Sequence, residues 1–213
     1  MVCECQIFMI PDYWPTAKRA LSSRDPVMKS IIKRYPGIPL RNRGDAFVTL
    51  ARSIVGQQIS VKAADSVWHK VLAAVPQLTP DTLSCIDKGN LAQCGLSLRK
   101  VDYLKDLAKH FSEKILHVEQ WPQMSDDEII NDLVQVHGIG RWTAEMFLIF
   151  NLLRPNVLPV DDVGLQRAVS IHYRKGKAIS ASQIRKISQL WHPWCSVATW
   201  YLWRSLDPVP VEY

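Results

Sequence analysis

Cysteine is sparse in this sequence, and what there is cannot build a framework. Cys3, Cys5, Cys85, Cys94 and Cys195 are the whole complement among 213 residues. An odd number at scattered positions excludes a disulfide scaffold, and no four are spaced to hold zinc or an iron–sulfur cluster. Cys3 and Cys5 form a close pair with no second pair to complete a site. Reduced thiols in a cytoplasmic protein, nucleoid-associated if prokaryotic, are the expectation. Long apolar runs are missing too: the strongest, Met146 to Leu153, lies between Glu145 and Arg154 and is too short to span a bilayer. No basic region precedes a long apolar segment near Met1, so no secretory leader is read there and no membrane partner is expected. Alternation long enough to demand a sheet does not occur; Gln6 to Ile10 reads as a short extended arm at most.

What is present has the helical period. Hydrophobic residues make up 47% of the chain, enough for one sizeable core or two small packed lobes. Phe47, Leu50, Ala51, Ile54 and Val55 fall at i, i+3, i+4, i+7 and i+8, so one helix face turns inward. Val101, Leu104, Leu107, Ala108 and Phe111 repeat the pattern, as do Ile184, Ile187, Leu190 and Trp191. Asp25-Pro26 and Thr79-Pro80 each pair a capping oxygen with a proline at the first helical position, where its missing N–H costs nothing. Ser125 and Glu128 have capping-box spacing, predicting a helix that runs toward Val136. Prolines and glycines punctuate the chain at 36–39, 76–80, 89–95, 121–122 and 154–159, and Asp207-Pro208-Val209-Pro210 closes the last helix and leaves a tail. The fold class is all-α.

Charge leans basic, 26 Lys and Arg against 20 Asp and Glu, which is weak support for a polyanionic partner. A sharper signal lies in the run from Leu133 to Ala144, where Gly138 and Gly140, separated by Ile139, turn one helix into the next. Glycines without Cβ atoms let backbone N–H groups approach a bulky anion, Ile139 would pin the turn to the core, and Arg141 would add charge beside the second helix's N-terminus. The same Gly-x-Gly also suits a tight helix–helix turn with no ligand. His137 borders this turn and reads as part of it; His69, His110, His117, His172 and His192 show no metal-ligand grouping. About twenty residues further on, Asp161 and Asp162 precede another helix, where one can stay ionised to stabilise positive charge or orient water, or one can cap the helix while the other faces solvent.

Three segments together resemble the helix-hairpin-helix (HhH-GPD) DNA glycosylases and, within them, the 3-methyladenine DNA glycosylase II (AlkA-like) branch. They are 51–64 (ARSIVGQQISVKAA), the hairpin through Glu145, and 158–165 (LPVDDVGL), in the family's order and at compatible distances. The resemblance extends from about Asp45 to Leu206. It implies a two-lobed fold with an active-site cleft between lobes, 45–160 forming a helical domain that contains the hairpin and 1–44 with 161–213 forming the second lobe, in a compact form lacking AlkA's N-terminal sheet domain. It implies a monomer acting on double-stranded DNA that carries alkylated bases. The implied activity is monofunctional hydrolysis of the N-glycosidic bond of alkylated purines of the 3-methyladenine and 7-methylguanine type, in base excision repair. Deaminated purines or alkylated pyrimidines as substrates remain open, as does a non-catalytic DNA-binding hairpin protein.

The resemblance also assigns residues. Asp162 falls at the family's catalytic aspartate, with Asp161 as a helix-capping or supporting neighbour. Trp142 stands where lyase members of the superfamily carry a Schiff-base lysine, so no amine is available for attack on the sugar. Trp142, Met146 and Trp203 fall at base-pocket positions, and an electron-poor alkylated purine would stack well on an indole. Gln58, with Ile59 as an apolar companion, falls at the wedge that fills the gap left by an extruded nucleotide, where AlkA has leucine; Gln57 is read as a loop support. Gly138, Ile139, Gly140, Arg141 and Thr143 fall at DNA-backbone contacts. The family's hairpin carbonyls, here Val134, Val136 and Ile139, can hold a structural Na or K ion; no other cofactor is implied.

Overall fold

A computed structural model describes residues 10–36 and 39–207 of the chain. Among them are twelve α-helices and one 3-10 turn, and no strand. In chain order the helices are α1 (Trp14–Arg24), α2 (Pro26–Arg34), α3 (Ala46–Gly56), α4 (Val61–Ala74), α5 (Pro80–Cys85), α6 (Lys88–Gln93) and α7 (Leu98–Ser112). The 3-10 turn Val118–Gln120 follows, then α8 (Asp126–Leu133), α9 (Arg141–Phe150), α10 (Val163–Arg174), α11 (Ala181–Ser188) and α12 (Cys195–Leu206). Cys3, Cys5, Gln6 to Met9 of the expected arm, and the tail from Pro208 lie outside the described residues. No described helix is long and apolar enough to cross a membrane.

The described residues form two compact units: Arg43–Phe147, and residues 10–36 and 39–42 together with 148–207. The change of unit therefore falls within α9, upstream of residue 160.

Local chemistry sets the helix starts. Asp25 accepts the N–H groups of Val27 and Met28 at 2.9 and 3.3 Å, with Pro26 at the first position of α2. Thr79 and Thr82 form a capping box at α5, and Ser125 and Glu128 form one at α8. Two expectations fail at helix ends. α8 stops at Leu133, because Val134 to Gly140 already belong to the turn. α11 stops at Ser188, so Leu190 leaves the helical register and is 45% exposed.

In the 43–147 unit, the α3 face of Phe47, Leu50, Ala51, Ile54 and Val55 is buried, as are Val101, Leu104, Leu107 and Ala108 of α7. Phe111, at the edge of that stripe, is half-buried and meets Phe47 edge-on at 5.2 Å. Trp121 continues the series against Phe147 and donates its indole N–H to buried Asp132 at 2.8 Å. In the other unit, α12 buries Cys195 through Leu202 without a break, and α1, α2 and α10 contribute Trp14, Leu21, Met28, Ile31, Leu165 and Val169. Trp191 is fully buried, and Trp194 stacks on Tyr13 at 5.6 Å. Cys85, Cys94 and Cys195 are free thiols, and burial pushes Cys195 up to about 12, so it is inert at neutral pH.

Candidate functional site

The hairpin is built so that its first glycine is obligatory and its second is open. Gly138 has φ +87°, and a Cβ there would lie 2.2 Å from the Tyr103 ring of α7. Gly140 would meet nothing within 4 Å, so a large group can approach its backbone. Ile139 is buried, and its N–H closes the turn onto the Val136 carbonyl at 3.0 Å. Asp106 of α7 accepts the His137 N–H at 2.8 Å and faces the His137 ring nitrogen at 3.0 Å, which ties His137 to the scaffold as a turn residue. Ala144 then donates to the Gly140 carbonyl at 3.0 Å, and α9 is under way.

Arg141 and Thr143, expected at DNA contacts, already have places in the scaffold. Arg141 is not a free cation, because it pairs with Asp127 at 3.2 Å and with Glu145 at 3.1 Å. Partial burial opposes its charge, but the two carboxylates outweigh that and raise its pKa. Its fork ties the first turn of α9 to Asp127 and Glu145. Thr143 is buried, so what it can offer an anion is its first-turn N–H and not its hydroxyl. Of the three carbonyls expected to suit a monovalent cation, that of Val136 already accepts the Ile139 N–H and keeps one lone pair. Neutral carbonyl donors fit Na or K and no transition metal.

The glycines separate fold from function by mutation. Gly138→Ala is expected to cost about 3 kcal/mol, combining strained φ with overpacking against Tyr103. Gly140→Ala is expected to leave stability within about 0.5 kcal/mol while weakening duplex DNA binding. Thermal denaturation and fluorescence anisotropy check the pair; equal affinity for the Gly140 variant would remove this backbone from the phosphate contact.

The loop after α3 carries the expected wedge. Gln57 donates its side-chain amide to the Gly138 carbonyl at 2.8 Å and supports the loop. Gln58 is exposed in the left-handed conformation at φ +58°, and Ile59 beside it is 41% exposed. Both side chains stand at the surface.

The carboxylate sits at the start of α10. Asp162, not Asp161, is the helix cap: its Oδ1 accepts the Leu165 N–H at 2.6 Å, and Asp161 is exposed ahead of the helix. The physical reason is register, since only Asp162 immediately precedes the first helical residue. The same Oδ1 accepts the Trp203 indole N–H at 2.8 Å. Trp203 in turn stacks on Phe150 with ring centroids 5.7 Å apart and planes 14° from parallel. Gly164 makes this possible, because a Cβ there would press to 3.1 Å on both Asp162 Oδ1 and the Trp203 ring. The first-turn N–H and the indole N–H together fix the orientation of this carboxylate. Trp203 is thus an orienting donor as well as a ring surface. On α9, Trp142 is the second helical residue and 44% exposed, and Met146 one turn later is half-buried.

Sequence reasoning missed Tyr103, Asp106 and Gly164 as supports. The first two look like ordinary polar residues beside α7's apolar stripe, and their only local signal is their three-residue spacing.

A glycine turn with an exposed loop in one unit, and a helix-capping carboxylate held by an indole in the other, are the features of a helix-hairpin-helix scaffold. The model of the HhH-GPD superfamily of base excision DNA repair proteins matches residues 51–193. The chain belongs to that superfamily. It is 32% identical over 192 residues to DNA-3-methyladenine glycosylase 1 of Schizosaccharomyces pombe, covering 87% of this chain and 84% of the relative. It is 33% identical over 196 residues to the DNA-3-methyladenine glycosylase of Saccharomyces cerevisiae, covering 75% of this chain and 66% of that one. Among solved structures it is similar to the S. pombe 3-methyladenine DNA glycosylase in complex with abasic DNA, with TM-score 0.80, 30% identity, and 93% and 98% of the two chains covered. It is likewise similar to a DNA-3-methyladenine glycosidase from Bacillus halodurans, with TM-score 0.83, 30% identity, and 90% and 89% covered.

Proposed function

We propose that this protein is a monofunctional DNA glycosylase that hydrolyses the N-glycosidic bond of alkylated purines in duplex DNA. The observation that carries the reading is the Asp162 carboxylate, capped onto α10 and oriented by Trp203, in a chain of the HhH-GPD superfamily. Such a carboxylate stabilises the positive charge that develops on the sugar as the base departs, and it can orient the water that completes hydrolysis. Alkylation at N3 or N7 makes the purine cationic and a good leaving group, so a strong general acid is not required. The exposed Trp142 indole offers such a base a stacking surface, and Met146 makes a softer wall than an aromatic would. The hairpin amides hold the phosphate backbone and read no sequence, and Gln58 with Ile59 enters the stack in place of the extruded nucleotide. The Val134, Val136 and Ile139 carbonyls would hold a monovalent cation, which would supply positive charge at the turn and take no part in bond breaking.

Trp142 supports hydrolysis over lyase chemistry, because an indole cannot form a Schiff base with the abasic sugar. Incubation with methylated duplex DNA is expected to release 3-methyladenine-type and 7-methylguanine-type bases, identified by chromatography, and to leave the abasic strand intact until base or an abasic-site nuclease is added. Strand scission without either would overturn the monofunctional assignment. Duplex binding with no base released would leave a DNA-binding hairpin protein and no enzyme.

A further inference from the structure

One flank of α7 serves two DNA-facing elements at once. Lys100, Tyr103 and Asp106 follow at three-residue steps, so they run along one side of the helix, rising about 4.5 Å and drifting about 60° per step. Tyr103 packs beneath Gly138 and Asp106 holds the His137 N–H, which mounts the hairpin. Lys100 reaches the other element: its Nζ donates to the carbonyls of Val55 and Gln57, each at 2.7 Å. These belong to the last turn and cap of α3, where carbonyls have no intrahelical partner and a cation suits them. Gln57 then donates to the Gly138 carbonyl across 81 residues of sequence, closing the circuit from α7 through the wedge loop to the hairpin.

The next residue, Gln58, is held at φ +58°, a conformation a non-glycine residue keeps only when its surroundings over-determine it. Lys100 supplies that determination on the α3 side. Partial burial pulls its pKa below the ordinary lysine value, so the fold bears a desolvation cost to keep an ammonium group there.

We propose that Lys100 is a positioning residue for nucleotide extrusion: it locks the α3 C-terminus so that the Gln58 wedge and the phosphate-gripping hairpin act on the duplex as one rigid piece. The inference rests on the glycosylase reading and its wedge assignment.

The test uses a methylated duplex with 2-aminopurine beside the damaged base, whose fluorescence rises as stacking is lost. Lys100→Met keeps the apolar stem and removes the donors. Its fluorescence rise and single-turnover base release are expected to fall about tenfold or more, as misplacement of a working group does, with affinity for undamaged duplex unchanged within about twofold. Gln58→Ala should show the same defect, and the double variant should be no worse than either single one, the signature of two residues in one unit. Lys100→Arg should recover part of the loss. If Lys100→Met proves unstable by circular dichroism, Gln57→Leu cuts the next tie of the same circuit, the side-chain bond to the Gly138 carbonyl, and carries the same expectation. Extrusion and release at starting levels in the tie-breaking variant, or a double variant whose loss is the product of the two single losses, overturns the inference and leaves the glycosylase reading standing. Unimpaired extrusion by Gln58→Ala removes the wedge and the inference with it. Absence of base release by the starting protein removes the enzymatic reading as well.

Discussion

Asp162→Asn is expected to lower single-turnover release of alkylated purines by about a hundred- to a thousandfold, the loss seen when one preorganised electrostatic group is removed from an active site. The substitution is informative because it changes so little else. Asparagine caps helices as well as aspartate does, and its amide oxygen can still accept the Leu165 N–H and the Trp203 indole N–H that Asp162 Oδ1 accepts now. The thermal midpoint should therefore move by no more than about 2 °C, which for a chain of this size corresponds to about 0.5 to 1 kcal/mol. Only the negative charge is lost. Asp162→Ala, by contrast, removes the cap as well and should cost about 1 kcal/mol in addition to activity. Asp161→Asn should do neither, since Asp161 is exposed and outside the helix. The deficit in Asp162→Asn should also grow as the departing base becomes less cationic, because a neutral base leaves less readily and puts more of the barrier on the stabilisation of the sugar. Release by Asp162→Asn at the starting rate would remove Asp162 from the chemistry, whatever its place at the head of α10.

How much of this was readable beforehand depended on the distance over which each feature is determined. The starts of α2, α5 and α8 were legible because a cap and the N–H groups it satisfies lie within four residues of one another. The hairpin was legible as two glycines, but the reason Gly138 is required is the Tyr103 ring on α7, a contact that no local pattern reveals. The apolar period overran the end of α11 to include Leu190, since periodicity marks a face and not where hydrogen bonding stops. The carboxylate was narrowed to two neighbours, and resemblance favoured Asp162; the residues alone allowed either to cap, and the cap proved to be Asp162 itself. That Trp203 donates to this carboxylate depends on the packing of α12 beside α10 and on the absence of a Cβ at Gly164. Lys100 was invisible for a general reason: a lysine on an amphipathic helix reads as solvent-facing unless one knows which carbonyls lie within its reach.

Asp25 is the extreme case of a residue whose local reading was right and incomplete, and Asp25→Ala is expected to destabilise the protein by about 4 kcal/mol, the range for stripping a buried charged acceptor from its donors. It caps α2, as its place before Pro26 suggests, through Oδ1. Its other oxygen accepts the Tyr173 hydroxyl at 2.6 Å and the Trp191 indole N–H at 3.0 Å, so one carboxylate that is 1% exposed joins α2, α10 and the segment after α11. Burial first, and the neighbouring carboxylate second, push the Tyr173 hydroxyl well above the usual tyrosine range, which keeps it a donor at any accessible pH. Alanine leaves the α2 N–H groups, the hydroxyl and the indole without this acceptor. Half-buried Tyr173 can recover water, but Trp191, fully buried, cannot. Asparagine keeps an acceptor on both sides and surrenders only the charge-assisted part, so Asp25→Asn should cost about 1 to 2 kcal/mol. In thermal denaturation the alanine variant should melt roughly 10 °C lower, with asparagine between it and the starting protein. A midpoint for Asp25→Ala within about 2 °C of the starting value would mean that water reaches these donors, and that the junction of α2, α10 and Trp191 is held by apolar packing alone.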